Sequence, residues 1–166
     1  MLKIINTLTP FFEDCYRRIN VREFARIQKI SPPTASKELE ELFKKNILKK
    51  ELDKQYIYYY ANKDSDIFVD LSRIYWKSIL NPVVDFLEKE LLNPIVILFG
   101  SLSKAEVTTN SDIDLAIITK SNKDLNLEKF ERKLKRNIQT FVFKELDKKN
   151  NLHNNILNGC KLRGEF

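Results

Sequence analysis

Apolar residues recur at helical spacing through the first third of the chain and then switch to strand spacing. Residues 3–18 carry a helical pattern, with Pro10 as its break or first-turn residue. VREFARIQKI (21–30) sets Val21, Phe24, Ala25 and Ile27 along one stripe, and Asn20 stands where an N-cap belongs. In SPPTASKELEELFKKNIL (31–48), Ser31 can cap, Pro32 and Pro33 suit a first turn, and Leu39, Leu42 and Phe43 form an apolar face. Asn46 suits a left-handed C-cap. Two β-type runs follow, ILKKEL and YIYYYAN, flanking Asp53-Lys54-Gln55 as a short hairpin tip.

Residues 65–92 read as a long helix capped by Asp64 or Ser65, which Pro82 kinks or splits. Tyr75, Trp76, Ile79, Val83, Phe86 and Leu87 give it a broad apolar face. It joins two halves, and packing on its own domain or on a second copy in a homodimer fits that face equally. Beyond Asn93-Pro94 the period shortens. PIVILFG, IDLAIIT and IQTFVF read as strands, and Ser101–Glu106, LNLEKFERKLKRN and KELDKKNNLHNNILNGC as helical stretches. Gly159 is placed as the C-cap of the last, and KLRGEF as a tail or short edge strand. The expected class is α/β (α+β) with a mixed sheet in the second half. Its divisions are residues 1–64, 65–92 and 93–166.

Composition narrows the options. The chain has 166 residues, 43% of them hydrophobic, enough to fill real cores and against general disorder. No apolar run approaches the ~20 residues of a membrane span. The first residues carry Glu13 and Asp14 and do not resemble a signal peptide, so a cytoplasmic, membrane-free protein is expected. Cys15 and Cys160 are expected as free thiols. Residues 17–50 hold ten Lys/Arg against four acids, which accounts for the whole net charge of +6. Such a field suits nucleic acid, with a solvated helix surface as the plain alternative.

The chemistry concentrates in ILFGSLSKAEVTTNSDIDLAIIT (97–119). Side chains two apart in a strand share a face, so Asp112 and Asp114 project together. Two adjacent carboxylates repel, and burial without a partner costs several kcal/mol. A divalent cation between them removes the difficulty, and carboxylates with phosphate oxygens are what Mg²⁺ prefers. Upstream, Gly100 lets a phosphate approach the backbone, Ser101 offers a hydroxyl, and a following helix would offer free N–H groups. Together these features describe a nucleoside-triphosphate site.

Two resemblances follow. PPTASKELEELFKKNIL, with the helix–turn–helix–hairpin order of residues 1–62, resembles the winged helix-turn-helix domain of prokaryotic transcription regulators. That implies duplex DNA as partner, with Thr34, Ser36 and Lys37 facing the major groove and Lys54, Gln55 and Tyr56 reaching phosphates or the minor groove. Winged helices also serve as protein-interaction modules. FGSLSKAEVTTNSDIDLAI resembles the signature of the DNA-polymerase-β-like nucleotidyltransferases, in particular the minimal domains of archaea and bacteria, over residues 93–166. The resemblance implies that Gly100, Ser101, Lys104 and Ser111 bind ATP or another nucleoside triphosphate. It makes Asp112 and Asp114 the Mg²⁺ ligands and catalytic carboxylates of nucleotidyl transfer.

Two departures qualify it. Ala105 stands where that family commonly has Gly. The later strand, IQTFVF, lacks the family's third carboxylate, with Gln139 at the matching position and Glu145 and Asp147 beyond it. His153 is expected to have a surface or packing role, with general acid/base work as the alternative, and the tyrosine run of YIYYYAN a structural one, with stacking on bases as the alternative. The leading reading is a DNA-binding transcription regulator whose second domain holds Mg-nucleotide with weak or lost transfer. An active enzyme moving AMP from ATP to a protein hydroxyl, acting like an antitoxin on a toxin-like partner, is the alternative, and a catalytically dead scaffold a third.

Overall fold

The computed structural model describes residues 2–146 and 151–165. They divide into two units, Met1–Ser72 with Ala105–Thr109, and Arg73–Lys104 with Asn110–Phe166. No helix among the described residues is long and apolar enough to cross a membrane.

In the first unit, helix α1 spans Lys3–Glu13, shorter than its apolar pattern suggested, and Pro10 lies inside it. Proline lacks the N–H that would bond the carbonyl four residues back. Gln28 supplies a substitute: its Nε2 donates to the carbonyl of Asn6 at 3.4 Å and to that of Thr7 at 3.2 Å. Strand β1 (Ile19–Asn20), too short to register as a period, leads directly into α2 (Val21–Gln28). Asn20 caps α2 by accepting from Glu23 N at 3.0 Å. Helix α3 (Pro32–Lys44) starts at the Ser31 cap and ends with Asn46 at φ 57°, in the left-handed conformation. Strands β2 (Leu48–Asp53) and β3 (Tyr56–Ala61) form the expected hairpin, with Lys54 at φ 55° in the turn. The sheet order is β1-β3-β2, all antiparallel. Ile5, Leu8, Phe11, Phe12, Ile19, Phe24, Leu39, Leu48 and Phe68 fill the core of this unit. Cys15 is buried there, outside any disulfide.

Helix α4 (Asp66–Glu90) runs unbroken through Pro82. Pro82 and Ser78, the residue whose carbonyl it leaves without a helical partner, are both exposed, so solvent can serve that oxygen and no split is required. Ser65 caps the helix, accepting from Phe68 N at 3.5 Å.

The second unit is built on a four-stranded mixed sheet, order β6-β5-β4-β7. Strand β4 (Ile95–Phe99) runs antiparallel to β5 (Ile113–Ile118) and to β7 (Cys160–Arg163), and β5 runs parallel to β6 (Ile138–Phe143). On one face Ile97, Phe99 and Ala116 pack with Ile156 of α6 (Asn151–Leu157), beside Phe141 and Phe143. Val96, Leu98, Leu115 and Ile117, one step out of phase, are buried on the other face. His153 packs edge-on against Phe143, centroids 4.8 Å apart. Helix α5 is only Glu128–Leu134 and buries none of its residues completely. Phe130 meets Phe86 of α4 at 5.4 Å between centroids. Gly159 does not adopt the left-handed C-cap conformation expected of it. It is there for close approach, because a Cβ would sit 2.5 Å from the Leu98 carbonyl oxygen. Arg163 ties β7 to α4 through Asp85 at 2.6 Å and Glu88 at 3.1 Å.

Candidate functional site

The chain leaves β4 at Phe99 and turns sharply at Gly100, whose φ is +70°. A side chain is excluded here twice. The backbone is left-handed, and a Cβ would stand 2.3 Å from Asp114 Oδ2. Gly100 therefore lies directly against the carboxylate two strands' ends bring to it, since Phe99 is in register with Asp114. The helical stretch expected over Ser101–Glu106 is only a three-residue 3₁₀ turn, Leu102–Lys104. A turn this short adds little helix dipole. What holds the loop is local: Ser103 Oγ donates to the Gly100 carbonyl at 2.9 Å, and Arg73 Nε to the Ser103 carbonyl at 2.9 Å. Ser101 is half-buried and Lys104 exposed at the end of the turn.

Ala105 explains one departure from the motif. Its φ is +56°, a conformation that favours glycine, and its methyl group is completely buried. The backbone thus keeps the bend that glycine would make without strain, with alanine held in it by packing.

Asp112 immediately precedes β5 and Asp114 is its second residue. Both are half-buried. Burial, and after it the negative charge of Asp112, push the Asp114 carboxyl above its ordinary value. Asp112 is gripped from the β6 side. Asn137 Nδ2 donates to its Oδ1 at 3.2 Å, and Gln139 Nε2 to its Oδ2 at 2.6 Å. Gln139 is in register with Asp114, so the residue at the matching position of the third strand is an amide that holds a carboxylate. The two amide donors could have been suspected from RNIQ, where Asn137 and Gln139 are two apart, yet which acid they meet depends on the register of β5 and β6. Arg136, also unforeseen, donates from Nη1 to the carbonyl of Ser111 at 2.7 Å and lies over the Trp76 ring at 5.4 Å. Glu145 follows β6 in a bend and is exposed; it is not in the helix expected there, and Asp147 lies outside the described residues. Among the described residues no three His, Cys, Asp or Glu side chains cluster as metal ligands, so the carboxylate pair stands by itself.

In the first unit, Ser36 and Lys37 are exposed near the start of α3. The Thr34 hydroxyl is shared with Ser31 Oγ at 2.8 Å, so it belongs partly to the helix cap. Lys54, Gln55 and Tyr56 are exposed at the hairpin turn. Glu40 of α3 accepts from Lys50 Nζ at 2.9 Å and from the Tyr59 hydroxyl at 3.1 Å, which fixes the hairpin against α3. Burial and then the Glu40 carboxylate push the Tyr59 phenol up to about 12. Several cations of the positive window are paired: Arg17 with Glu23 and Lys50 with Glu40, acids already counted within it, and Arg18 with Glu51 and Asp53 and Lys49 with Asp64, acids that lie outside it. Of these, only Arg18 and Lys49 therefore lower the field below the charge count of residues 17–50.

No curated protein and no solved structure matches this chain. Residues 81–162, which contain the Gly100 turn, both aspartates and the Gln139 strand, match the family model described as Polymerase beta, Nucleotidyltransferase, and this part of the chain is a nucleotidyltransferase-fold domain.

Proposed function

We propose that the chain is a DNA-binding transcription regulator whose nucleotidyltransferase-fold domain binds Mg-nucleotide with weak or lost transfer. One observation carries the second half of this reading: the Gln139 amide sits on Asp112, where a carboxylate would be needed to accept a proton from an attacking hydroxyl. An amide is not a base near neutral pH. The remaining parts suit binding. Gly100 lets the turn lie directly against the Asp114 carboxylate, where any side chain would strike it. The donor set fits a hard divalent cation, because a half-buried carboxylate pair, with Asp114 raised by burial and then by Asp112, gains from a positive charge between them. Asp112 and Asp114 would hold the ion. When bound, it neutralises the pair and the triphosphate oxygens. Asn137 and Gln139 orient Asp112, and Arg136 braces the Ser111 backbone just before it.

The first half rests on the order helix, strand, helix, helix, hairpin, which supports a winged helix-turn-helix over residues 1–64, with 65–92 connecting it to 93–166. Ser36 and Lys37 are then the groove-facing residues, helped by Thr34, and Lys54, Gln55 and Tyr56 form the wing tip. Lys37 has no carboxylate partner among the described residues and is available to phosphate.

Two measurements test the halves separately. Titration with ATP and Mg²⁺ should show binding that Asp112→Asn and Asp114→Asn both abolish, while α-labelled ATP leaves no label on the chain or on added protein. Mg²⁺-dependent labelling would instead establish the enzyme that modifies a protein hydroxyl. Duplex binding should weaken with rising salt and with Lys37→Glu; binding indifferent to both removes the DNA reading.

A further inference from the structure

Strand β6, one of the two edge strands of the second unit's sheet, has a hydrogen-bonding edge that no strand among the described residues covers. Ile113 N donates to the Asn137 carbonyl and Thr119 N to the Phe143 carbonyl, both at 2.9 Å. In a parallel ladder those bonds mean that the odd-numbered residues of β6 face β5. The backbone groups of Ile138, Thr140 and Val142 therefore point away from the sheet. Ile138 N is capped by Glu131 Oε1 at 2.8 Å. Nothing among the described residues does the same for Thr140 or Val142. Their N–H and carbonyl groups form an open row, Val142 is 53% exposed, and IQTFVF contains no charge, glycine or proline. An edge of this composition lacks the features that keep strands from pairing.

We propose that β6 pairs antiparallel with β6 of a second copy of this chain, in the register that puts Phe141 opposite Phe141. The edge is self-complementary in that register. Thr140 of each copy faces Val142 of the other, all four being outward-bonding residues, so two hydrogen-bonded pairs exchange four N–H···O bonds. The two Phe141 rings meet as the close, non-hydrogen-bonded pair, extending the aromatic face already formed by Phe99 and Phe141, whose centroids are 5.3 Å apart. Adjacent registers are worse. A shift toward Ile138 displaces the Glu131 cap, and a shift toward Lys144 relies on a residue outside the strand. No like charges are opposed in the chosen register: Lys144 stands across from Ile138, and Glu145 across from Asn137. With four bonds and two exposed apolar side chains the association is modest and concentration-dependent. It does not depend on nucleotide or DNA.

Sedimentation velocity over a dilution series tests this, with hydrogen exchange as a second readout. The wild type should move from a one-chain to a two-chain mass as concentration rises, with slowed exchange at the Thr140 and Val142 amides in the dimer. Thr140→Pro should be monomeric throughout and keep its circular dichroism, because the lost N–H serves no bond within the chain. Should that variant fail to fold, Val142→Lys decides, and it too should be monomeric. A wild type that stays monomeric to its solubility limit overturns the proposal. So does a dimer that folded Thr140→Pro or Val142→Lys leaves intact, since another surface or another strand must then be responsible.

Discussion

Replacing Gly100 by alanine tests the geometry of the site most directly. Two effects separate in magnitude. The first is backbone strain: φ +70° is left-handed, which for a residue with a Cβ costs about 1–2 kcal/mol. The second is the 2.3 Å approach to Asp114 Oδ2. The atom struck is the end of a side chain, with the Asp114 Cβ at 3.5 Å, so rotation of the carboxylate relieves the contact without moving β5. Stability should therefore fall by the strain alone, on the order of 2–8 °C in melting temperature for a chain of this size. Function should fall much further, because the rotated carboxylate no longer faces the space where a phosphate would lie. Thermal melts followed by circular dichroism and titration with ATP and Mg²⁺ measure the two effects. In an Asp114→Ala background, Gly100→Ala should cost the same melting temperature, because the strain does not depend on the carboxylate. A Gly100→Ala protein with wild-type affinity would falsify the placement of Asp114 against this turn.

Other outcomes follow from the same contacts. Asp114→Asn should raise the melting temperature at neutral pH even as it abolishes nucleotide binding. The Asp114 carboxyl is raised in the fold, so its ionisation opposes folding; the penalty is absent below the unfolded carboxylate range and develops as pH rises through the folded value, so melts taken across that range should converge at the acid end. Gln139→Glu restores an acid beside Asp112, and pyrophosphate release from ATP with Mg²⁺ should rise above the wild-type background; an unchanged rate means that the missing base is not what limits the domain. Gln28→Ala should cost about 1 kcal/mol by urea denaturation, since it removes the donor shared by the Asn6 and Thr7 carbonyls, and the loss should shrink in a Pro10→Ala background where the Asn6 carbonyl regains its helical donor.

The chain's own pattern was sufficient for much of this. Caps at Asn20 and Ser31, the left-handed Asn46, the hairpin, the long helix after Ser65 and the strands of the second half are local features, set by side-chain chemistry within a few residues. The site's main residues were legible for the same reason: a glycine at a strand end and acids two apart in an apolar run are rare enough to stand out. Three kinds of fact were not local. Pro10 stays helical because a glutamine 18 residues away replaces its missing donor. Gly159 is required by the Leu98 carbonyl as well as by the Ile156 carbonyl of its own helix. The Asp112 clamp and the open edge of β6 exist only because β5 and β6 pair in one register. A sequence specifies which residues can bind, cap or bend. Which acid an amide meets, and which backbone groups remain unpaired, is decided when distant segments pack, since hydrogen bonds act over about 3 Å and not along the chain.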